Sequence, residues 1–139
     1  AQSIHLPLVI DNTYGLRSFV KAVIDDLEHR CLYCYQVRLE QTARYAAEHQ
    51  FDSFSTTLLV SPYQKHEALI AAGEAAAQKY GVPFLYRDFR VGFREGQDKA
   101  RELELYMQKY CGCIFSEEER YRSKQLRREK ELREKGLAQ

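Results

Sequence analysis

Apolar and polar positions along this chain follow two periods. Over residues 13–29, Leu16, Phe19, Val20, Val23, Ile24 and Leu27 recur at helical spacing, with Asn12 or Thr13 standing where an N-cap belongs. A second stripe of Leu39, Thr42, Ala43, Ala46 and Ala47 predicts a helix over about 35–49. Between and around them lie short apolar runs. HLPLVI at 5–10, FDSFSTTLLV at 51–60 and VPFLY at 82–86 read as strands on their aromatic and β-branched content. Ser61-Pro62-Tyr63-Gln64 offers a helix start, because Ser61 can cap, Pro62 suits a first turn and Gln64 completes a capping box. That helix runs to Tyr80, where Gly81 supplies a left-handed stop and Pro83 forbids continuation. A further helix is expected over 97–110, and Ser116-x-x-Glu119 is a second capping box that opens a charged tail.

Strands alternating with helices of this length imply parallel β-α-β units with helices on both faces of the sheet. Three strands are few for such a sheet, so a further strand is expected from upstream residues or a partner chain. No composition break precedes residue 115. The expectation is one α/β domain over 1–115, lacking its N-terminal strand in these residues, followed by a charged helical tail over 116–139.

Composition sharpens this only in places. With 139 residues, 45% hydrophobic and 29% charged, the chain can build a core and is not of disordered type. Net charge is +1, which argues neither for nor against a nucleic-acid partner. Eight Lys or Arg lie between Arg120 and Lys135, but Glu129, Glu131 and Glu134 interleave with them, as on a solvated helix. No apolar run approaches the roughly 18–20 residues that cross a bilayer, so no membrane partner and a cytoplasmic location are expected. The first residues, Ala1-Gln2-Ser3, contain no initiator Met, which suggests that others precede them.

Chemistry concentrates at one edge of the expected sheet. Open parallel sheets bind ligands beyond the carboxyl ends of their strands. Tyr63, Lys65, His66 and Glu67 follow one strand there, and Arg87, Asp88, Phe89, Arg90 and Arg94 follow the next. Cys31-Leu-Tyr-Cys34 stands at or just before a helix N-terminus, where the dipole favours thiolate, and its spacing suits one metal or a redox disulfide. In Cys111-Gly-Cys113 the glycine lets the backbone turn so that both sulfurs converge. Four thiolates suit zinc or an iron–sulfur cluster, and buried structural cysteines are the plain alternative. Asp88 could be a ligand, an acid or a salt-bridged carboxylate, and His66 an acid–base group or a surface residue. Arg87, Arg90 and Arg94 would hold phosphate well or merely solvate the edge. No Gly-rich dinucleotide fingerprint, Walker-type loop or Gly-x-Ser-x-Gly elbow occurs, which leaves nicotinamide binding and serine hydrolysis without support.

Taken together, RCLYCYQVRLEQTARYAAEH, FDSFSTTLLVSPYQKHEALIAAGEAAAQKYGVPFLYRDFR, GFREGQ and LYMQKYCGCIFSEEERY closely resemble the epoxyqueuosine reductase (QueH) family over about 30–121. The resemblance implies a Rossmann-like α/β fold with the charged C-terminal helix outside the match. It implies reductive removal of the epoxide oxygen from epoxyqueuosine at the wobble position of tRNA, the last step of queuosine synthesis, fed by an unidentified electron donor. It also implies a [4Fe–4S] cluster with an additional iron ion, for which Cys31, Cys34, Cys111 and Cys113 would be thiolate ligands. Asp88, Tyr63 and His66 are the candidate proton donors, Arg87, Arg90 and Arg94 the tRNA contacts, and Phe89 or Tyr63 a surface on which an extruded base stacks. The family's upstream Cys-Cys-x-x-Cys motif has no counterpart in these residues, and four sulfurs alone do not complete a two-metal site. A zinc-stabilised RNA-binding module and a thiol–disulfide protein are the other readings.

Overall fold

The computed structural model describes residues 4–136, and among them it is helical, with no sheet. The expected Rossmann-like parallel sheet is therefore overturned. Phe54 and Phe84 form one isolated parallel bridge, in which the Phe54 N–H donates to the Pro83 carbonyl at 3.0 Å and the Leu85 N–H to the Phe54 carbonyl at 2.8 Å. Beyond the bridge, side chains take up backbone groups. The Ser55 hydroxyl donates across to the Leu85 carbonyl at 2.8 Å, and Thr56 Oγ1 accepts the Leu58 N–H at 3.2 Å, turning Thr57–Val60 into a 3₁₀ turn. The 5–10 run forms no strand either. Pro7 has no N–H to give a ladder, and Leu6, Leu8, Val9 and Ile10 are exposed.

The chain divides into two compact units, Ala1–Phe93 and Arg94–Gln139. In the first unit α1 spans Leu16–Val23, α2 Arg30–Glu48 and α3 His66–Tyr80. α1 is shorter than its apolar spacing predicts, and the expected cap is absent: the Thr13 N–H donates instead to Asp11 Oδ1 at 2.9 Å. α2 starts five residues before the expected position, so Cys31 and Cys34 lie within the helix. Of its expected stripe, Leu39, Ala43 and Ala46 are buried, whereas Thr42 is exposed and donates to the Arg38 carbonyl. α2 ends on Gln50 at φ 59, with the Phe51 N–H closing back to the Ala46 carbonyl at 2.9 Å.

The core of this unit lies between α2 and α3. Tyr35, Leu39, Ala43 and Ala46 from α2 meet Leu69 and Ala76 from α3, and Phe54, Leu59 and Val82 close the cluster. Leu39, Leu59 and Leu69 are fully buried, each contributing about 1.5–3 kcal/mol of apolar burial. Gly73 has a specific purpose here, because a Cβ at that position would fall 2.5 Å from the Phe84 ring. α3 begins at His66 rather than at Ser61. The Ser61 hydroxyl accepts the Tyr63 N–H at 3.3 Å in a local turn, and Gln64 is drawn away from any capping box by Tyr35. Its end is as expected, at Gly81 with φ 70.

The second unit holds α4, which runs Phe93–Glu102 from the unit boundary, and α5, Ile114–Glu134. α4 starts before the expected 97 and stops eight residues before the expected 110. Glu104 takes a left-handed φ of 52, and the Leu105 N–H closes to the Ala100 carbonyl at 2.8 Å. α5 is N-capped at Cys113 without a side-chain bond. The expected capping residue Ser116 lies inside its first turn and donates back to the Cys113 carbonyl at 3.2 Å.

Candidate active site and cysteine pairs

Tyr35 positions the first unit's candidate site. Its hydroxyl donates to Gln64 Oε1 at 2.7 Å and accepts the Lys65 N–H at 3.0 Å, while Lys65 Nζ donates to the Glu28 carbonyl at 3.0 Å. A buried phenol on α2 thus holds the turn just ahead of α3 and sets His66 as that helix's first residue. The segment that leaves the Phe54–Phe84 bridge delivers Tyr86 to it. His66 Nε2 and the Tyr86 hydroxyl are 3.1 Å apart, with the rings edge-to-face at 5.7 Å between centroids. The other ring nitrogen of His66, Nδ1, is buried and has no hydrogen-bond partner.

Two residues further on, Asp88 is clamped by Arg90. The Arg90 N–H and Nε donate to Oδ1 at 3.0 and 2.9 Å, and a terminal guanidinium nitrogen donates to Oδ2 at 2.7 Å. These side-chain bonds, then the Arg90 backbone N–H, hold the Asp88 carboxyl well below the usual carboxylate range. In return Asp88 pushes Arg90 up. At neutral pH Asp88 is a carboxylate in an ion pair. Arg87 and Phe89 project into solvent, as does Tyr63, which is 83% exposed and meets Phe93 edge-on at 5.8 Å. Arg94 is exposed on α4 in the second unit.

The four cysteines are thiols and fall into two pairs. Cys31 and Cys34 stand three residues apart on α2, hence on one face of that helix, and Cys31 packs against the core. Cys111 and Cys113 flank Gly112, whose φ of 83 is the left-handed turn that brings consecutive side chains round. Cys111 Sγ donates to Ser116 Oγ at 3.2 Å. The donor chemistry suits a soft metal or an iron–sulfur cluster. Among the described residues no group of three or more His, Cys, Asp or Glu that could hold a metal ion is found.

Two contributors escaped the sequence reading. Tyr86 ends the VPFLY run and was absorbed into an expected strand, although a phenol at the end of an apolar run beside Asp88 is a signal of its own. Tyr35 sits next to Cys34 at the expected start of a helix, and nothing local marks its bond to Gln64, 29 positions away.

Thiols suit soft metals, and a histidine hydrogen-bonded to a phenol suits proton transfer. The family model for epoxyqueuosine reductase QueH matches residues 1–119. The chain belongs to the QueH family. It is 40% identical to the epoxyqueuosine reductase QueH of Dehalococcoides mccartyi over 82% of this chain and 63% of that protein. It is also 40% identical to that of Thermotoga maritima, over 76% of this chain and 58% of that one. With the Helicobacter pylori protein the identity is 35%, over 78% of this chain and 33% of the other. The chain thus spans less than two thirds of the length of these relatives. Among the described residues no helix is long and apolar enough to cross a membrane.

Proposed function

We propose that this chain acts as a cytoplasmic oxidoreductase that reduces epoxyqueuosine to queuosine in tRNA. Membership of the QueH family across residues 1–119 carries the reading. The reaction takes an epoxide, two electrons and two protons to an alkene and water. In this reading Cys31, Cys34, Cys111 and Cys113 would be thiolate ligands of a [4Fe–4S] cluster accompanied by an additional iron ion, a group that would pass on electrons one at a time from a separate donor.

The chain's own residues do the rest. Arg87 and Arg94 are exposed cations suited to the tRNA backbone, with Arg90 held by its ion pair until phosphate competes for it. Tyr63 and Phe89 offer exposed ring faces for a base taken out of its stack. Of the three expected proton donors, Asp88 is ionised beside Arg90 and serves better as an acceptor that orients its neighbours. Tyr63 is at the solvent edge, and His66 is the one already engaged with a second proton-bearing group.

The test is the iron, acid-labile sulfide and zinc content of anaerobically purified protein, with its visible spectrum and a tRNA reduction assay. Brown protein with stoichiometric iron and sulfide and turnover of epoxyqueuosine tRNA is the expected result. In the same assay Cys111→Ala loses cluster absorbance and activity together. A colourless protein carrying one zinc would point to the RNA-binding module, and Cys111→Ala retaining both properties would remove that thiolate from the scheme.

A further inference from the structure

His66 and Tyr86 make a directional pair, and the direction follows from the buried nitrogen. A neutral imidazole carries one proton. If that proton were on Nδ1, the ring would bury an N–H donor with no acceptor, which is costly. Orphaned buried N–H groups are rare for this reason. With the proton on Nε2, the buried atom is a bare lone pair. The 3.1 Å contact is then a bond donated by His66 Nε2–H to the Tyr86 oxygen. With its oxygen accepting from His66, the Tyr86 hydroxyl has its own proton to give elsewhere, and the residue is exposed.

We infer that Tyr86 is the proton donor of this site and that His66 is the residue that positions and supports it. This rests on the reductase reading, in which a separate one-electron donor supplies the two electrons. As those electrons break the epoxide C–O bonds, the Tyr86 O–H bond breaks and its proton goes to the departing oxygen, and a second proton from solvent completes the water released. The phenolate left behind keeps the Nε2–H bond from His66 and regains its proton from solvent. The charged groups coupled to the pair are Asp88, which interacts with His66, and Arg90, which interacts with Tyr86 and adds a positive charge beside the phenolate. Lys65 and Glu67 flank His66 in the chain.

Two measurements test this. Ring ¹⁵N–¹H correlation spectra of ¹⁵N-histidine-labelled protein near neutral pH should show His66 protonated on Nε2 alone. In Tyr86→Phe that signal should shift, while the backbone amide spectrum away from 66 and 86 is unchanged. A proton on His66 Nδ1 overturns the pair's direction whatever the activity. In the tRNA assay Tyr86→Phe should lower kcat on the order of 10²-fold and leave KM within about twofold. Turnover equal to the unsubstituted protein overturns the role. A protein that never turns over, with His66 still protonated on Nε2, refutes the reductase reading and with it Tyr86 as donor, while the pair's direction stands.

Discussion

The two units of this chain keep their shape by different means. In Ala1–Phe93, ten hydrophobic residues between Val23 and Val82 are buried, and α2 and α3 are joined by them. In Arg94–Gln139 no described residue is buried, and Leu103, Leu105, Tyr106, Tyr121 and Leu126 are exposed. There the backbone relies on helix ends closing on themselves and on spaced pairs such as Glu95–Lys99, Glu118–Arg122 and Lys130–Glu134, each worth about 0.3–0.5 kcal/mol at most. The contrast bears on function. The first unit holds its cysteine pair on a helix anchored in a core, whereas the second holds its pair on a turn shaped by one glycine. Fixing the second pair thus depends on backbone conformation more than on packing.

The largest effect is expected where that packing is tightest. Gly73→Ala would place a methyl 2.5–2.6 Å from three atoms of the Phe84 ring. The ring cannot swing away without cost, because it packs on Phe54 at 5.4 Å and its backbone forms the one bridge. A loss of about 1–3 kcal/mol is expected, read as a lower urea midpoint with an unchanged slope. The shift should also disturb Tyr86, two residues on, in the NMR spectrum. An unchanged midpoint would mean that Phe84 is not confined as described.

The corresponding substitution in the second unit is Gly112→Ala. At φ 83 an alanine is strained by roughly 1–2 kcal/mol, and its methyl would meet Gln108 Nε2 at 3.1 Å. With no buried residue nearby to enforce the turn, the loop should relax instead. Amide shifts over 108–116 should change, and alkylation of Cys111 and Cys113 should change in rate, while helical circular dichroism stays the same. Unaltered shifts over 108–116 would show that the glycine's freedom is not used.

The same contrast explains what could be read from the sequence. The α2 stripe was legible at Leu39, Ala43 and Ala46, because burial imposes the helical period on a packed face. Thr42 misled, since a threonine at a stripe position can satisfy its hydroxyl on its own helix at Arg38. The strand-like runs misled for a different reason. β-Branched and aromatic content marks a segment fit to join a sheet, but a ladder needs neighbours, and past the bridge the Ser55 and Thr56 side chains take up backbone groups instead. The start of α3 was hidden because Gln64 answers to Tyr35 across the fold. Cysteine spacing was legible as two pairs, whereas the His66–Tyr86 contact joins residues 20 apart and needs both α3 and the bridge in place.

The smallest effect, and the one that isolates an electrostatic part of the packed unit, concerns Glu40 on α2 and Lys79 on α3. Lys79 Nζ donates to Glu40 Oε2 at 2.7 Å, and Gln36 Nε2 donates to Oε1 at 3.0 Å. The Lys79 bond, then the Gln36 bond, holds the Glu40 carboxyl below the ordinary glutamate value, and Glu40 raises Lys79. A lowered folded-state value means that the carboxylate's contribution is present above the ordinary glutamate pKa and is lost as pH falls through the lowered value. For Lys79 the contribution is present below the ordinary lysine pKa and is lost as pH rises through the raised one. Because both side chains reach water, solvent screens the pair and the effect is modest. Glu40→Gln should lower the urea midpoint slightly near neutral pH, and the two proteins should converge as acid titrates Glu40. Added salt should narrow the neutral-pH difference. A difference that persists in acid would assign the effect to the shape of the side chain rather than to its charge.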